Sequence, residues 1–222
     1  MTDGRDILAR IRVARAGDPE AAARRIAEHP RGTIPAMARP ADKAAALALF
    51  RRKAEAAGAS LTEVRTRRDV PDAVADFLQR YGLPRKLRTG RTDPAMPWEG
   101  AGLAVLAGAA EATDMAGFSE AFCGIAETGT LMLVSGPDTP ASINFLPENH
   151  VVLLRTADIT GCYEEAWDRL RAASGEGVMP RAVNWITGPS RTADIEQTLV
   201  MGAHGPKRLH ILLLSEGEET DG

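Results

Sequence analysis

The feature that most constrains the fold of this chain is a series of short apolar runs in its second half. Each run has four to seven residues, mainly Val, Ile and Leu, and is bounded by Gly, Pro, Asp or Ser. Such runs are typical of strands that are buried on both faces of a sheet. The five runs are Leu103–Leu106, Gly129–Ser135, His150–Leu154, Val183–Thr187 and Leu209–Leu214.

Helical patterns lie between the later runs, over Tyr163–Ala173 and Ala193–Met201. Strands that alternate with helices of this length indicate βαβ units and a mainly parallel sheet. We therefore predict an α/β fold.

The first half of the chain contains further predicted elements. An amphipathic helix is predicted from Thr2 to about Ala16, and Asp18-Pro19 either ends it or opens another short helix. The remaining predicted elements are helices over Asp42–Ala57 and Val70–Tyr81 and strands over Ser60–Arg65 and Lys86–Arg88.

Prolines 30, 35 and 40 interrupt the chain, because proline lacks a backbone donor and disfavours helix at the preceding residue. We therefore predict three parts: a helical lead-in over residues 1–40, an α/β domain over residues 41–215 and an acidic tail over residues 216–222.

The charge of the chain is unevenly distributed. Residues 1–91 carry 20 Lys and Arg against 11 Asp and Glu, whereas residues 92–222 carry 7 against 19. The arginines are dispersed among Ala and acidic residues without interleaved aromatic side chains, which favours solvated helix faces or a protein contact over nucleic-acid binding. Alternatively, the opposite charges of the two halves could neutralise each other within the chain. Self-association into a homo-oligomer is left open.

The sequence contains no run of about 18 apolar residues, so no membrane span is predicted. Residues 1–15 are charged throughout and lack the apolar centre of a secretory signal, and we expect a cytoplasmic protein. Cys123 and Cys162 are far apart in sequence, and the four histidines show no metal-binding spacing. We therefore expect this chain alone to bind no metal or other cofactor.

One candidate site follows the fourth apolar run, in the segment GPSRT. If a helix begins at about Ala193, Thr192 is its N-cap and Asp194 lies in its first turn. Backbone N–H groups, the Ser190 and Thr192 hydroxyls and the Arg191 guanidinium would then surround a small phosphate or carboxylate. The alternative is an ordinary capped turn. The candidate ligand-binding residues are Gly188, Ser190, Arg191, Thr192 and Asp194.

A second candidate site is the segment ETGT, which enters the second apolar run. Gly129, between Thr128 and Thr130, would let a ligand approach the backbone closely. Glu127 is the candidate catalytic residue, as a general base or nucleophile. The alternative is a tight turn in which Glu127 caps a backbone N–H group. His204, in GAHGP, offers either an imidazole to a ligand or a cation to a helix C-terminus.

Three segments together carry a resemblance to a known family. They are GIAETGTLMLVSGP at 124–137, NFLPENHVVLL at 144–154 and GPSRTADIEQTLVMGAHGPKRLHILLL at 188–214. In this combination and order the chain resembles the lactate utilization protein C family, the stand-alone LUD-domain proteins.

The resemblance implies a Rossmann-like, mainly parallel sheet flanked by helices, similar to the sugar-phosphate isomerase, CoA-transferase and formyltetrahydrofolate cyclo-ligase group. It also implies a role in oxidising L-lactate to pyruvate, as one of three proteins encoded together, with iron–sulfur proteins as partners. The motif positions that it carries over include Pro189, Gly205 and Pro206 besides the candidate residues named above.

Two other functions remain open at this point. The chain could be an enzyme acting alone on a phosphorylated, nucleotide or CoA-linked small molecule at the ETGT and GPSRT segments. It could also be a regulatory or scaffold module in which both segments are structural.

Overall fold

The computed structural model describes residues 18–28, 33–175, 177–193, 199–201 and 205–215. The chain divides into two compact units, Met1–Ile34 and Pro35–Gly222. The helix predicted from Thr2 to about Ala16 and the acidic tail lie outside the described residues.

In the first unit, helix α1 spans Pro19–Glu28. The Asp18 carboxylate accepts a hydrogen bond from the Glu20 N–H at 2.9 Å, as expected for a residue just before a helix. Asp18-Pro19 therefore opens a helix.

The second unit contains three longer helices and twelve strands among its described residues. The helices are α2 (Lys43–Ala56), α3 (Val70–Arg80) and α4 (Tyr163–Ser174). No helix in the described ranges is both long and apolar enough to cross a lipid bilayer. The strands are β1 (Ser60–Val64), β2 (Lys86–Thr89), β3 (Ala104–Ala107), β4 (Ala116–Glu120), β5 (Cys123–Ile125), β6 (Thr130–Val134), β7 (Asn149–Arg155), β8 (Ile159–Thr160), β9 (Val183–Ile186), β10 (Arg191–Ala193), β11 (Leu199–Met201) and β12 (Arg208–Leu214).

Six strands form the central sheet, in the order β1-β12-β7-β4-β2-β3, and every neighbouring pair is parallel. The α/β class and the parallel sheet are thus confirmed. Three of the five apolar runs belong to this sheet: one overlaps β3, and the other two lie within β7 and β12.

The other two apolar runs form neighbouring antiparallel strands, β6 and β9, of a second sheet in the order β8-β5-β6-β9. This sheet is also covered on both faces. Leu131 and Leu133 pack in a cluster with Phe50 of α2, whereas Met132 packs with Ala166 and Leu170 of α4. A strand that is buried on both faces has a continuous apolar run in either sheet. The sequence pattern therefore could not show which of the two sheets β6 and β9 belong to.

The helix predicted over Ala193–Met201 is wrong at both of its described ends, and residues 194–198 lie outside the described residues. Instead, β10 and β11 pair antiparallel, with Thr192 opposite Val200. Thr192 therefore lies within a strand and is not a helix N-cap. The Ser190 N–H donates to the Pro206 carbonyl at 2.9 Å, so the chain on either side of this segment is held together. Thr192 and Val200 are β-branched, a residue type that is enriched in strands.

Strand β12 shows how the central sheet divides the core. Its Leu212 and Leu214 pack in one cluster with Phe77 and Leu78 of α3. On the opposite face, Leu209, Ile211 and Leu213 pack in a second cluster with α2 and the second sheet. Because successive side chains alternate between faces, an unbroken apolar strand requires both layers. Each fully buried Leu contributes roughly 1.5–3 kcal/mol.

Ion pairs join the basic half of the sequence to the acidic half. Arg88 of β2 pairs with Asp114 at 2.8 Å, and both side chains are largely buried. Arg67 pairs with Asp93 at 2.8 Å and also with Glu120. Pairing between the halves therefore neutralises part of the charge asymmetry.

Candidate functional site

The structure brings the candidate segment ETGT against Thr187, the residue that immediately precedes GPSRT. The Thr130 hydroxyl, at the start of β6, lies 2.6 Å from the hydroxyl of Thr187, just after β9. It also lies 2.7 Å from the Thr128 hydroxyl and 3.0 Å from the Tyr163 hydroxyl. We call these four residues the hydroxyl cluster. Tyr163 and Thr187 were not among the predicted site residues, because only the pairing of β6 with β9 and the position of α4 bring them here.

Glu127 lies beside the hydroxyl cluster and caps α4. Its carboxylate accepts a hydrogen bond from the N–H of Tyr163, the first residue of that helix, at 3.2 Å. A negative charge at this end stabilises a helix through its dipole. The capping contact considered from the sequence is therefore present, and a chemical role for Glu127 stays a prediction.

Gly129 and Gly188 allow these segments to lie against the C-terminal part of α2. Both have a φ of +70°, in the left-handed region that glycine adopts readily. A Cβ atom on Gly129 would overlap the backbone of Ala54, and one on Gly188 would overlap the carbonyl of Ala57. The space beside each glycine is thus filled by the helix backbone.

Arg191 lies over Gly58, immediately beyond the C-terminus of α2. A Cβ atom on Gly58 would overlap its guanidinium Nη2. A cation in this position interacts favourably with the carbonyl end of a helix. Ser190 lies next to Gly205, with its Cβ atom 3.5 Å from the position of a Cβ there. Asp194 and His204 lie outside the described residues.

A cavity of about 200 Å³ lies elsewhere, at the carboxyl ends of β2 and β4. The connection that leaves β2 leads to β3, whereas the one that leaves β4 leads towards β7 on the opposite side. Open α/β sheets bind ligands where the connections diverge in this way. The cavity is lined by Thr89, Gly90, Arg91, Asp93, Phe118, Ser119, Glu120, Leu133, Val134, Asp138, Thr139, Pro140, Ile143 and Asn144.

Ser119 and Asn144, which line the cavity, form a hydrogen-bonded chain with the buried His150. The Ser119 hydroxyl donates to Asn144 Oδ1 at 3.1 Å and lies 3.0 Å from His150 Nε2. With the hydroxyl proton directed to Asn144, His150 carries its proton on Nε2 and donates to Ser119. Complete burial lowers the pKa of His150 to about 3, so the imidazole is neutral. Its Nδ1 has no hydrogen-bond partner in the described part of the chain.

The charged groups at the cavity rim are paired to different degrees. Arg67 holds both Asp93 and Glu120. The Ala95 N–H and the Arg67 guanidinium lower the pKa of Asp93, against the opposing effect of burial. Arg91 lies 3.6 Å from Asp138, and its side chain is 69% exposed. Arg91 is therefore the more available cation.

The sequence contained little sign of this cavity. Strand β4 reads AGFSE and has no apolar run, so neither the strand nor the position of Ser119 at its end was predicted. Arg91, Asp138 and Asn144 lie in three separate segments, and only the strand order brings them together. The signal that could have found them is the change in chain direction between β2 and β4, which requires the topology.

Comparisons with known proteins place most of the chain in one family. A family profile described as LUD domain matches residues 47–214, which include both the hydroxyl cluster and the cavity. In a search of solved structures, a crystal structure of a DUF162 family protein from Deinococcus radiodurans matches with a TM-score of 0.61. It is 24% identical and covers 79% of this chain and 100% of that chain, which shows a common fold.

Several relatives align over a shorter part. An uncharacterized protein of Neisseria meningitidis serogroup B is 46% identical over 99 residues, or 45% of this chain and 42% of that protein. Lactate utilization protein C of Bacillus subtilis is 38% identical over 93 residues, or 41% of this chain and 39% of the relative. Lactate utilization protein C of Shouchella clausii is 33% identical over 92 residues, or 41% of this chain and 40% of the relative. The chain thus spans about two fifths of the length of these relatives.

Proposed function

The chain belongs to the LUD domain family, and from this premise we propose that it is a cytoplasmic component of an L-lactate utilisation system. In this role it supports the oxidation of L-lactate to pyruvate. The observation that carries the proposal is the family match over residues 47–214. The names of the Bacillus subtilis and Shouchella clausii relatives, lactate utilization protein C, support the choice of lactate.

We further propose that iron–sulfur proteins are the partners of this chain. Oxidation of one lactate to pyruvate releases two electrons and two protons, so an electron acceptor is required. The chain has two cysteines, Cys123 and Cys162, and both are buried. Burial raises the pKa of the Cys123 thiol to about 12, which disfavours the thiolate that a cluster needs. Since clusters are usually held by four cysteine ligands, partner proteins would supply them.

Growth of a deletion strain tests the proposed function. Deleting the gene should prevent growth on L-lactate as sole carbon source and leave growth on pyruvate unchanged. Returning the intact gene should restore growth on L-lactate. Normal growth of the deletion strain on L-lactate would overturn the proposal.

Isolation of the assembled system tests the proposed partners. The tagged full chain should copurify with proteins that contain iron and acid-labile sulfide, and their visible absorbance should bleach on addition of L-lactate. Copurified proteins without iron, or with absorbance that does not respond to lactate, would contradict the proposed partnership.

A second candidate function is supported by the contact of ETGT with Thr187, the residue before GPSRT, at the hydroxyl cluster. In this alternative the chain acts alone on a phosphorylated, nucleotide or CoA-linked small molecule. Glu127 would be the acid–base group or nucleophile. The proposed ligand-binding residues are Thr128, Gly129, Thr130, Gly188, Ser190, Arg191, Thr192, Asp194 and His204. A rise in the melting temperature of the chain with such a compound, lost in Arg191→Ala, is the expected result.

A further inference from the structure

We propose that the cavity at the carboxyl ends of β2 and β4 binds a small 2-oxo or 2-hydroxy carboxylate, which Arg91 and Asn144 recognise together. Arg91 and Asn144 give the cavity a cation and an amide donor for a small oxygen-rich anion, while Asp138 and the Arg67-bound Asp93 and Glu120 also line it. The choice of 2-oxo and 2-hydroxy acids among such anions rests on the proposed function.

Asn144 provides the first part of the argument. Its side chain is 6% exposed and lines the cavity, and its Oδ1 accepts the Ser119 hydroxyl proton. Its Nδ2 donates to no group within the described ranges. This Nδ2 is not among the fully buried unpartnered atoms, so its N–H groups are open to the cavity and can donate to a ligand there. A ligand oxygen in the cavity would supply that acceptor.

His150 and Ser119 fix which end of the amide is available. The Ser119 hydroxyl donates to Asn144 Oδ1, and His150 Nε2 in turn donates to the Ser119 oxygen. The Nδ2 end is then the free end of the amide, so Asn144 acts as a donor. His150 is neutral and is not among the residues that line the cavity, so we regard it as a positioning residue.

Arg91 provides the second part of the argument. It lines the same cavity, and its contact with Asp138 at 3.6 Å is long for a charge-assisted hydrogen bond. A carboxylate can therefore replace or share Asp138 at low cost. Arg67 is less suited to this role, since Asp93 and Glu120 already occupy its guanidinium.

The rest of the lining determines the size and shape of the ligand. Phe118, Leu133 and Ile143 offer apolar surface for a short carbon chain. A volume of about 200 Å³ is smaller than the roughly 300–1,000 Å³ of pockets for drug-sized ligands. The cavity therefore suits a metabolite of a few carbons better than a complete nucleotide or CoA.

Binding measurements with four probes test this inference. Pyruvate, L-lactate, acetate and methyl pyruvate would be titrated into the full chain and followed by amide NMR shifts. Pyruvate and L-lactate should bind saturably with shifts around Ser119 and Asn144. Acetate, which lacks the C2 oxygen, should bind about tenfold more weakly, and so should methyl pyruvate, which lacks the charge.

Variants assign the two contacts. Arg91→Ala should weaken pyruvate and acetate equally, by about tenfold or more, whereas Asn144→Ala should weaken pyruvate about tenfold and leave acetate unchanged. Asp138→Asn should tighten pyruvate binding, because it removes the competing carboxylate. Arg52→Ala, at an exposed position of α2, is the matched control and should bind like the unaltered chain.

Arg91 and Asp138 are mostly exposed, so their variants should fold and keep the test decisive. Absence of saturable pyruvate and lactate binding would overturn the inference. The inference would also be overturned if Arg91→Ala bound pyruvate as tightly as the unaltered chain, or if the chain preferred a small organic amine over these acids. Growth of the deletion strain is a separate measurement, so failure of the binding site and failure of the lactate role can be told apart.

Discussion

The hydroxyl cluster and the cavity differ in how far the protein satisfies its own polar groups. At the hydroxyl cluster, each of the four hydroxyls contacts another at 2.6–3.1 Å, and Glu127 is bound to a helix N–H. In the cavity region, Asn144 Nδ2 has no hydrogen-bond acceptor among the described residues, and Arg91 has one long ion pair. The hydroxyl cluster therefore satisfies its own polar groups and holds neighbouring elements together. The cavity leaves hydrogen-bond donors available to a ligand.

This difference shows that a motif of small residues is weak evidence for a ligand site in this protein. The ETGT and GPSRT segments contain glycines because α2 lies against them, and that close contact explains the motif without a ligand. The cavity contains no short motif. Donors left available in a cavity at diverging strand ends are the stronger indication of a binding site in this protein.

The largest expected effect is at Gly129. Gly129→Ala combines a left-handed φ with overlap of the Ala54 backbone, so we expect the free energy of unfolding to fall by about 3 kcal/mol. Chemical denaturation would measure the loss. Gly82→Ala is the matched control, because Gly82 has a φ of +62° with open space beside it and should lose only about 1 kcal/mol. Equal losses would show that the contact with α2 is not tight.

The next effect is on acid stability and comes from the cavity side. Burial lowers the pKa of His150 to about 3, below its unfolded value of about 6.5. Between these values the unfolded chain binds the extra proton, so stability falls as pH decreases from 6.5 and is constant above that range. The expected contribution is at most about 1.4 kcal/mol per pH unit.

Denaturation between pH 7.5 and about 5 would measure this slope, a range chosen because carboxylates titrate mainly below it. His150→Gln removes the titrating group and should reduce the slope. Burial lowers the pKa of His210 to about 4, with Arg80 adding to the effect, so His210→Gln should reduce the slope similarly. If only the His150 variant left the slope unchanged, the neutral His150 that orients Ser119 would be contradicted.

The smallest effect is expected at Glu127. Glu127→Gln keeps an oxygen that accepts the Tyr163 N–H and loses only the charge at the start of α4. We expect a loss of about 0.5 kcal/mol in the free energy of unfolding. If Glu127→Gln abolished growth on L-lactate despite this small loss of stability, Glu127 would have a chemical role. The hydroxyl cluster, rather than the cavity, would then be the better candidate site.

Much of the fold could be predicted from the sequence because its signals are local. The boundaries of α2, α3, β1 and β12 follow from periodicity, glycine and proline, and the structure places each within a residue or two of its predicted position. The helix predicted over Ala193–Met201 failed because the pairing of β10 with β11 depends on a partner strand. Local propensity contains no information about that partner.

The candidate site was predictable only in part, for the same reason. The sequence showed that ETGT and GPSRT need glycines at tight positions, but not that the neighbour would be α2. It showed Glu127 as a capping or catalytic group, and only the position of α4 revealed the cap. The cavity residues were missed because each is an ordinary polar residue until the sheet is assembled.

By itself, the sequence determined the fold class, the family resemblance and the strands of the central sheet with continuous apolar runs. These depend on side-chain alternation and burial, which act along a few residues. The tertiary structure alone decided the second sheet, the partner of each glycine and the position of the cavity. Those depend on which strands become neighbours, and strand order is set by contacts between residues far apart in the chain.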